Sequence, residues 1–283
     1  MLSKVEVYNP RGTMLSLPLQ DVSEGFIIQN IDGLDPVKAT ITSSSFAQLD
    51  GEQFQSSRRE KRNIVMRLGL EPDYSTQTVG GLRNRLYDFF LPKAEVRLAF
   101  YRDGVPPVYI DGTVESMTTA LFSKDPAVDI SILCFNPDFE ELGVVDTEGQ
   151  PAANEGNPEI WFPIEYTGTS PTGVLFHIGG LRPAMGFTID NDRDDGNPAQ
   201  HFEVNAAFTL NEGIDVTSFP GNKTATLSNV FTLASKSVLY AVEPKSIWLT
   251  LVPGMNNISV VVLGGPFNTL YWSIQYTRKF GGL

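Results

Sequence analysis

Four basic side chains, Arg58, Arg59, Lys61 and Arg62, lie close together in a chain whose formal net charge is −12. Guanidinium and ammonium groups bind carboxylates or phosphates, so a cluster of this kind needs an acidic partner. Three partners are open: a nucleic acid, the chain's own acidic loops, or a neighbouring copy of the chain. No aromatic side chain on which a base could stack is interleaved with these charges, which makes nucleic acid the weakest of the three.

The sequence contains few residues of the types that commonly act in catalysis. The only histidines are His177 and His201, and the single cysteine, Cys134, lies in an apolar run that predicts a buried strand. No nucleophile elbow of the Gly-x-Ser-x-Gly type is present. A glycosidase needs only two carboxylates, so composition does not exclude one, but no pair is singled out by the sequence. We predict a protein that is not an enzyme, with no catalytic residues and no cofactor.

An acidic loop at residues 190–196 has a superficial likeness to a calcium-binding loop. An EF-hand loop needs glycine at its sixth position and glutamate at its twelfth, and this chain has Asp195 and His201 there. A solvated turn is therefore the prediction for this segment, and we predict no metal site.

Three tryptophans, Trp161, Trp248 and Trp272, raise a different chemistry because their flat rings can stack on sugars. Such residues more often fill a protein core. Trp248 alternates with Leu249 and Leu251, so the period of a strand predicts that its ring faces away from theirs. Carbohydrate binding by these rings stays open as an alternative function.

The elements that must hold these residues are nearly all β strands. Residues 37–64 predict a long hairpin whose turn lies at 49–51, and residues 63–70 alternate as a half-buried strand does. The only convincing helix has apolar side chains at helical spacing between Leu82 and Phe90 and ends at Pro92. Further strands are predicted at 5–8, 25–30, 94–101, 108–116, 127–135, 160–167, 174–178, 185–189, 201–210, 224–232, 246–252, 257–263 and 270–276.

Composition changes between residues 140 and 158 to Gly, Pro, Ala, Asn and acidic residues, which predicts a domain boundary near Gly143. We therefore predict two domains, 1–142 and 143–283, and the short regular strands of the second favour a β-sandwich. Both parts are acidic, which argues against nucleic-acid wrapping. We expect no membrane association and synthesis in the cytoplasm, because no apolar run is long enough to span a bilayer and the N-terminus lacks an apolar signal core.

Several stretches together resemble the distal tail (Dit) family of long-tailed, siphovirus-type bacteriophages. In the first domain they are SRREKRNIVMRL at 57–68, LYDFFLP at 86–92 and ISILCFNP at 130–137. In the second they are GIDVTSFPGNK at 213–223 and WLTLVPGMNNISV at 248–260. The resemblance implies an all-β fold: a sandwich- or barrel-like N-terminal domain with one α-helix and a long β-hairpin arm, then a galectin-like or carbohydrate-module-like β-sandwich.

The resemblance also implies a function. Members of the family form a hexameric ring at the tail tip of the virion, which joins the tail tube protein to the tail-associated or fibre hub protein and leaves a channel for DNA. The N-terminal domain makes the ring and its hairpin reaches the next subunit; here that hairpin would be residues 37–64. We therefore favour a neighbouring copy as the partner of the basic cluster, as a subunit interface of Arg58, Arg59, Lys61 and Arg62. The acidic candidates on that copy are Asp32, Asp35, Asp103, Asp111 and Asp125. The alternative is a carbohydrate-binding module that recognises host-surface glycans.

Overall fold

The computed structural model describes residues 1–46, 50–120, 125–147, 150–154, 160–265 and 270–283. Contacts divide the chain into two compact units, one of Met1–Leu142 with Phe280–Leu283 and one of Gly143–Lys279. The sequence-based division assigns the last four residues to the second domain, whereas in the structure they pack with the first unit. Part of the predicted linker, residues 148, 149 and 155–159, lies outside the described residues. No described helix is long and apolar enough to cross a membrane.

The prediction of an all-β fold is confirmed, and the first unit holds one long antiparallel sheet and one helix. Its elements are β1 (Leu2–Tyr8), β2 (Met14–Pro18), β3 (Phe26–Asp32), β4 (Ala39–Ser45), β5 (Glu52–Arg59), β6 (Arg62–Leu70), α1 (Val79–Phe90), β7 (Glu95–Arg102), β8 (Val105–Ala120), β9 (Ala127–Cys134) and β10 (Phe139–Glu141). Neighbouring strands of the main sheet follow the order β2-β1-β7-β8-β9-β6-β3. Strands β4 and β5 pair only with each other.

The core of the first unit consists of buried side chains from the main sheet and from one face of α1. Ile64, Met66 and Leu68 of β6 are all fully buried, as their alternation predicts. Helix α1 begins after Thr78, whose hydroxyl accepts a hydrogen bond from the Gly81 amide at 3.0 Å. It ends before Leu91, which is extended because a proline follows it. The buried face of α1 consists of Leu82, Leu86, Phe89 and Phe90.

The second unit is a β-sandwich of two main sheets. Its elements are β11 (Val145–Asp146), β12 (Gln150–Pro151), β13 (Ala153–Asn154), β14 (Trp161–Tyr166), β15 (Thr172–Gly173), β16 (Leu175–Gly180), β17 (Gly186–Arg193), β18 (Gln200–Val204), β19 (Glu212–Phe219), β20 (Asn222–Asn229), β21 (Ser235–Ser237), a 3₁₀ turn at Leu239–Ala241, β22 (Thr250–Leu251), β23 (Gly254–Leu263) and β24 (Leu270–Tyr276). The last strand, β25 (Lys279–Phe280), belongs to the first sheet, where it pairs with β10. One sheet has the order β11-β24-β16-β19-β20-β21, and the other has β13-β23-β17-β18. Apolar side chains of both sheets form a single core.

Several segments differ from the strand prediction, among them the strand predicted at 246–252, of which only Thr250–Leu251 is a strand. Strands β2 and β19 are not among the predicted elements, and the strand predicted at 201–210 ends at Val204. After Val204 the Asn205 amide bonds to the Ala241 carbonyl, so the chain leaves the sheet there. Strand β19 was not predicted because its outward positions include Gly213 and Asp215, and both residue types are uncommon in strands.

Candidate assembly site: the hairpin arm and the basic cluster

Strands β4 and β5 form an arm, which we define as residues 39–59, and no described residues form a layer on either of its faces. Every residue of β5 is exposed, and in β4 only Ser44 is partly buried. The Asp50 and Gly51 part of the predicted turn is described, whereas Leu49 lies outside the described residues. An isolated two-stranded hairpin is marginally stable in water, because it buries too little apolar surface to offset its ordering. An uncovered arm of this length is therefore a candidate surface for contact with another molecule.

One face of the arm carries two large apolar side chains. The strand register shifts after Thr42, which pairs with Ser56, because Ser43 then pairs with Phe54 and leaves one β5 residue extra. This bulge moves Phe54 to the face that β4 uses for Ile41, since Ile41 and Ser43 point to the same side. Ile41 is 66% exposed and Phe54 is 62% exposed. The sequence pattern alone, read as unbroken alternation, does not bring these two together.

The base of the arm is tied to the first unit by an ion pair. Arg59 donates two parallel hydrogen bonds to Asp138, one through Nη1 and one from Nη2 to Oδ2 at 2.7 Å. The Asp138 carboxylate is nearly buried, and its hydrogen bond to the Arg59 guanidinium raises the pKa of that arginine. Paired, two-point bonds of this kind fix direction as well as distance. Asp138 is not among the acidic partners proposed from the sequence.

Arg62 is buried, with 1% of its surface exposed, so the structure removes it from the predicted interface. Its Nε donates to the Pro137 carbonyl at 2.8 Å, Nη1 donates to the Gly33 and Asp35 carbonyls, and Nη2 donates to the Gly281 carbonyl at 2.6 Å. Its guanidinium carbon lies 4.4 Å from the centre of the Phe139 ring. Burial lowers the pKa of Arg62, yet a guanidinium stays charged at neutral pH.

This arrangement joins segments that are far apart in sequence. The carbonyls that Arg62 binds belong to the loop after β3, to the residue before Asp138 and to the C-terminal tail. The tail is held further by the Leu283 amide, which bonds to the Leu34 carbonyl at 3.1 Å. Gly33 has a φ of +88°, and a Cβ there would lie 2.0 Å from the Asn63 carbonyl oxygen, so only glycine fits beside β6.

The basic cluster therefore splits into two pairs. Arg59 and Arg62 bind groups of their own chain, whereas Arg58 and Lys61 are exposed. Within the described residues neither Arg58 nor Lys61 forms an ion pair. Only this second pair is free to meet another molecule, and for it the interface assignment stays a prediction.

The acidic residues proposed as partners are also unequal. Asp111 already binds Arg97 through two hydrogen bonds of 2.7 and 2.9 Å. Asp103 lies 3.5 Å from the N-terminal amine. Asp32 is exposed, and the bond that it accepts among the described residues comes from the neutral Asn30 amide, at 2.9 Å. Of these three, Asp32 keeps the most capacity for a cation of a second copy.

The three tryptophans do not form one sugar-binding surface. Trp272 is 2% exposed and packs against the Phe162 and Phe176 rings, so its place in that prediction is wrong. Trp248 is partly buried, with its ring centre 4.9 Å from that of Phe202. Trp161 is 41% exposed. The strand period identified the orientation of Leu249 and Leu251 correctly, since both are buried, but a ring as wide as that of Trp248 still reaches core side chains.

The remaining candidates are one buried thiol and two histidines that each pair with an aspartate. Cys134 is buried at the end of β9, as predicted, and burial raises the pKa of its thiol to about 12. His177 and His201 lie on strands and bind Asp215 at 2.6 Å and Asp190 at 2.7 Å, respectively. Across the described ranges, no three His, Cys, Asp or Glu side chains are grouped so that they could hold a metal ion.

Comparison with known proteins gives a match in structure and none in sequence. No protein-family model matches the chain, and no curated protein matches it. The crystal structure of the Dit protein (gp 19.1) of phage SPP1 matches 98% of this chain and 99% of that chain, with a TM-score of 0.68 at 16% identity. This chain has the fold of a phage Dit protein. The resemblance stated from the sequence is thus confirmed at the level of the fold.

Two structures of the phage p2 baseplate in its activated conformation also match along the full length. The calcium-bound baseplate has a TM-score of 0.47 and the strontium-bound one has 0.46, both at 11% identity. Scores this low add nothing to the comparison. The description of the SPP1 protein calls it a paradigm of the hub adsorption apparatus of phages that infect Gram-positive bacteria. The galectin-like character of the second unit stays a prediction.

Proposed function

We propose that this chain is a non-enzymatic distal tail protein of a tailed bacteriophage, a hub of the tail tip that assembles as a ring of six copies. The observation that carries the proposal is the end-to-end likeness to the SPP1 Dit protein, which spans both units and covers 98% of this chain and 99% of that chain. A fold is compatible with many functions, so the proposal needs support from a surface that would make the assembly.

The arm supplies that surface. It exposes Ile41 and Phe54 on one face, where no described residue of the same chain covers them. Burying two such side chains stabilises an interface by about 1.5–3 kcal/mol each before the cost of association. A contact in which the arm of one copy lies on a different surface of the next is heterologous, and heterologous contacts close into rings when the rotation between copies permits.

The clamped base makes the arm a directed contact rather than a free tether. Arg59 on Asp138 and Arg62 on four carbonyls fix the segments on both sides of the β5–β6 turn. A rigid base sets one angle between successive copies, which a closed ring requires. Arg58 and Lys61 lie beside this base as exposed charges, where they would set register and association rate more than affinity.

The ring proposal also implies where the protein is made and which tail proteins it joins. The protein would be made in the host cytoplasm and become part of the virion, where the ring joins the tail tube protein to the tail-associated or fibre hub protein. DNA would pass through the channel as cargo. An acidic chain suits that role, because a net charge of −12 repels a phosphate backbone.

The test is the solution mass of the purified chain together with negative-stain images. We expect particles of six times the 31.1 kDa chain mass that appear as six-fold rings. The double variant Ile41→Asp/Phe54→Asp should remain monomeric with an unchanged circular dichroism spectrum, because both substitutions lie on solvent-exposed positions. The matched control is Tyr74→Asp, which also places a carboxylate at an exposed aromatic position of the first unit and should still form rings.

Two results would count against the proposal. Rings that persist in the double variant would show that the arm is not the subunit contact. A wild-type chain that stays monomeric both alone and with the tail tube protein added would contradict the ring itself.

Reversing charge at Arg58 and Lys61 alone should slow ring assembly in a salt-dependent way, since exposed charges act mainly on encounter rate.

A further inference from the structure

The outward face of one sheet of the second unit has an unusual surface. Strands β24, β16 and β19 lie side by side, and the register aligns Ser273, His177 and Asp215 in one row across them. The next row consists of Tyr271, Gly179 and Gly213. The alternate residues of these strands point into the sandwich core and are buried, so both rows lie on the outer face of the sheet, where Gly179 and Gly213 are covered by neighbouring side chains.

The two glycines make room for two flat rings. A Cβ on Gly179 would lie between 2.1 and 2.5 Å from Cζ, Cε1 and Oη of Tyr271, so the tyrosine ring lies directly across that glycine. A Cβ on Gly213 would lie 3.2 Å from Cε1 of His177. The two ring centres are 6.0 Å apart. Tyr271 remains 38% exposed, which leaves part of its ring surface open to solvent.

Polar groups near Tyr271 keep hydrogen-bonding positions that could bind another molecule. Nδ1 of His177 lies 2.6 Å from Oδ1 of Asp215, which leaves Nε2 of the histidine and Oδ2 of the aspartate for another molecule. In the described part of the chain, the Tyr271 hydroxyl also has no hydrogen-bond partner. Both members of the His177–Asp215 pair are about two-fifths exposed. Donors and acceptors therefore lie along one edge of an aromatic surface.

The chemistry of the face selects a kind of ligand. The outward side chains around the two rows include Leu175, Thr217, Thr226, Ser228 and Gln275, whose amide donates to Asp146 at 3.0 Å. These rows contain no lysine or arginine. A surface without cations does not suit a phosphate or an acidic polymer. Hydroxyl, amide, imidazole and carboxylate groups beside an open aromatic ring match a ligand that is apolar on one face and hydroxylated at its edge.

We propose that this face binds a neutral saccharide. One sugar ring would stack by its C–H face on Tyr271, and its hydroxyls would donate to Oδ2 of Asp215 and exchange a hydrogen bond with Nε2 of His177. The site is distinct from the tryptophans to which sequence pattern assigns sugar binding, and it does not depend on the ring assembly proposed above. It would give the second unit a role in contacting a glycosylated surface.

A purely structural account of the two glycines is that an aromatic ring placed across a strand glycine covers exposed backbone. That account requires the ring but not the adjoining carboxylate. The two accounts therefore differ in what Asp215→Asn does, because this substitution keeps the shape of the side chain and removes its charge. Under the structural account the substitution leaves every binding measurement unchanged.

The experiment uses the full chain on a printed array of neutral oligosaccharides built from glucose, galactose and N-acetylhexosamines, followed by titration calorimetry with the strongest binder. We expect Tyr271→Ala to weaken binding by up to about tenfold, which is the factor that aromatic stacking of this type can contribute. Tyr271→Phe should retain binding within about threefold, because it keeps the ring. Asp215→Asn should weaken binding by at least about fivefold.

The matched control is Tyr240→Ala, which removes a different tyrosine of the same unit that is 83% exposed. It should bind as the wild type does. The proposal is overturned if the wild type binds none of the neutral oligosaccharides, or if Asp215→Asn and Tyr271→Ala, both shown to be folded by circular dichroism, bind as tightly as the wild type. Should Tyr271→Ala not fold, Asp215→Asn decides between the two accounts by itself.

Discussion

Replacing Arg62 by alanine tests how much of the first unit depends on one buried cation. The side chain donates to four main-chain carbonyls and lies over the Phe139 ring. Hydrogen bonds from a charged donor contribute about 1.5–3 kcal/mol each. The cost of keeping the guanidinium out of water offsets several kcal/mol of that total, and water can enter the space that the variant leaves. We therefore expect a loss of about 3 kcal/mol in the free energy of unfolding of the first unit.

A loss of this size lowers the unfolding temperature of a unit of this length by about 10 °C. Calorimetry or urea denaturation would measure it. Arg62→Lys should show an intermediate loss of about 2 kcal/mol, because one ammonium group cannot reach carbonyls on opposite sides of a planar fork. The control is Arg58→Ala, which removes an exposed arginine of the same cluster and should change stability by less than about 0.5 kcal/mol.

Hydrogen exchange gives a second, local readout. The Leu283 amide is bonded to the Leu34 carbonyl, and Arg62 holds the loop and the tail that carry these two groups. Exchange at Leu283 should accelerate in Arg62→Ala and stay unchanged in Arg58→Ala. If the two alanine variants unfold at the same temperature, or if the tail keeps its protection in Arg62→Ala, the reasoning about the buried cation is refuted.

Three further expectations concern single sites. The hydrogen bond to Asp215 raises the pKa of His177, so the pair stabilises the fold fully below about pH 6.5 and loses this contribution as the pH rises through the folded-state pKa. Urea denaturation should therefore show a free energy of unfolding that falls between about pH 6 and 8, and this fall should be smaller in His177→Gln. Cys134, with its pKa of about 12, should resist iodoacetamide at pH 8 until the chain is denatured, and rapid native labelling would contradict its burial. Gly179→Ala should destabilise the second unit by about 1–3 kcal/mol, and combining it with Tyr271→Ala should recover part of that loss if the ring is the obstacle.

Local pattern was sufficient for several elements. Strand β6 was predictable because Ile64, Met66 and Leu68 recur every second residue and the sheet buries that side. Helix α1 was predictable because its apolar residues recur at helical spacing and a proline follows its end. The burial of Cys134 follows from the apolar strand around it. In each case the signal lies within about ten residues, which is the range over which strand and helix periods act.

The fate of the basic cluster was not predictable in this way. Arg58, Arg59 and Arg62 are the same residue type within one short segment, yet one is exposed, one is paired and one is buried. What separates them is Asp138, the Pro137 carbonyl and the Gly281 carbonyl, which the chain brings to this point from far along the sequence. No short window of the sequence contains the arginines together with these groups.

The basic segment was thus identified by the sequence as a place where charge needs a partner, and its hairpin was identified by turn residues and alternation. Only the tertiary structure decided which charges are already satisfied, and only the strand register, through one extra residue in β5, placed Ile41 and Phe54 on the same face. The reason is physical: periodicity determines which way a side chain points within its own element, whereas the group it meets depends on how distant segments pack.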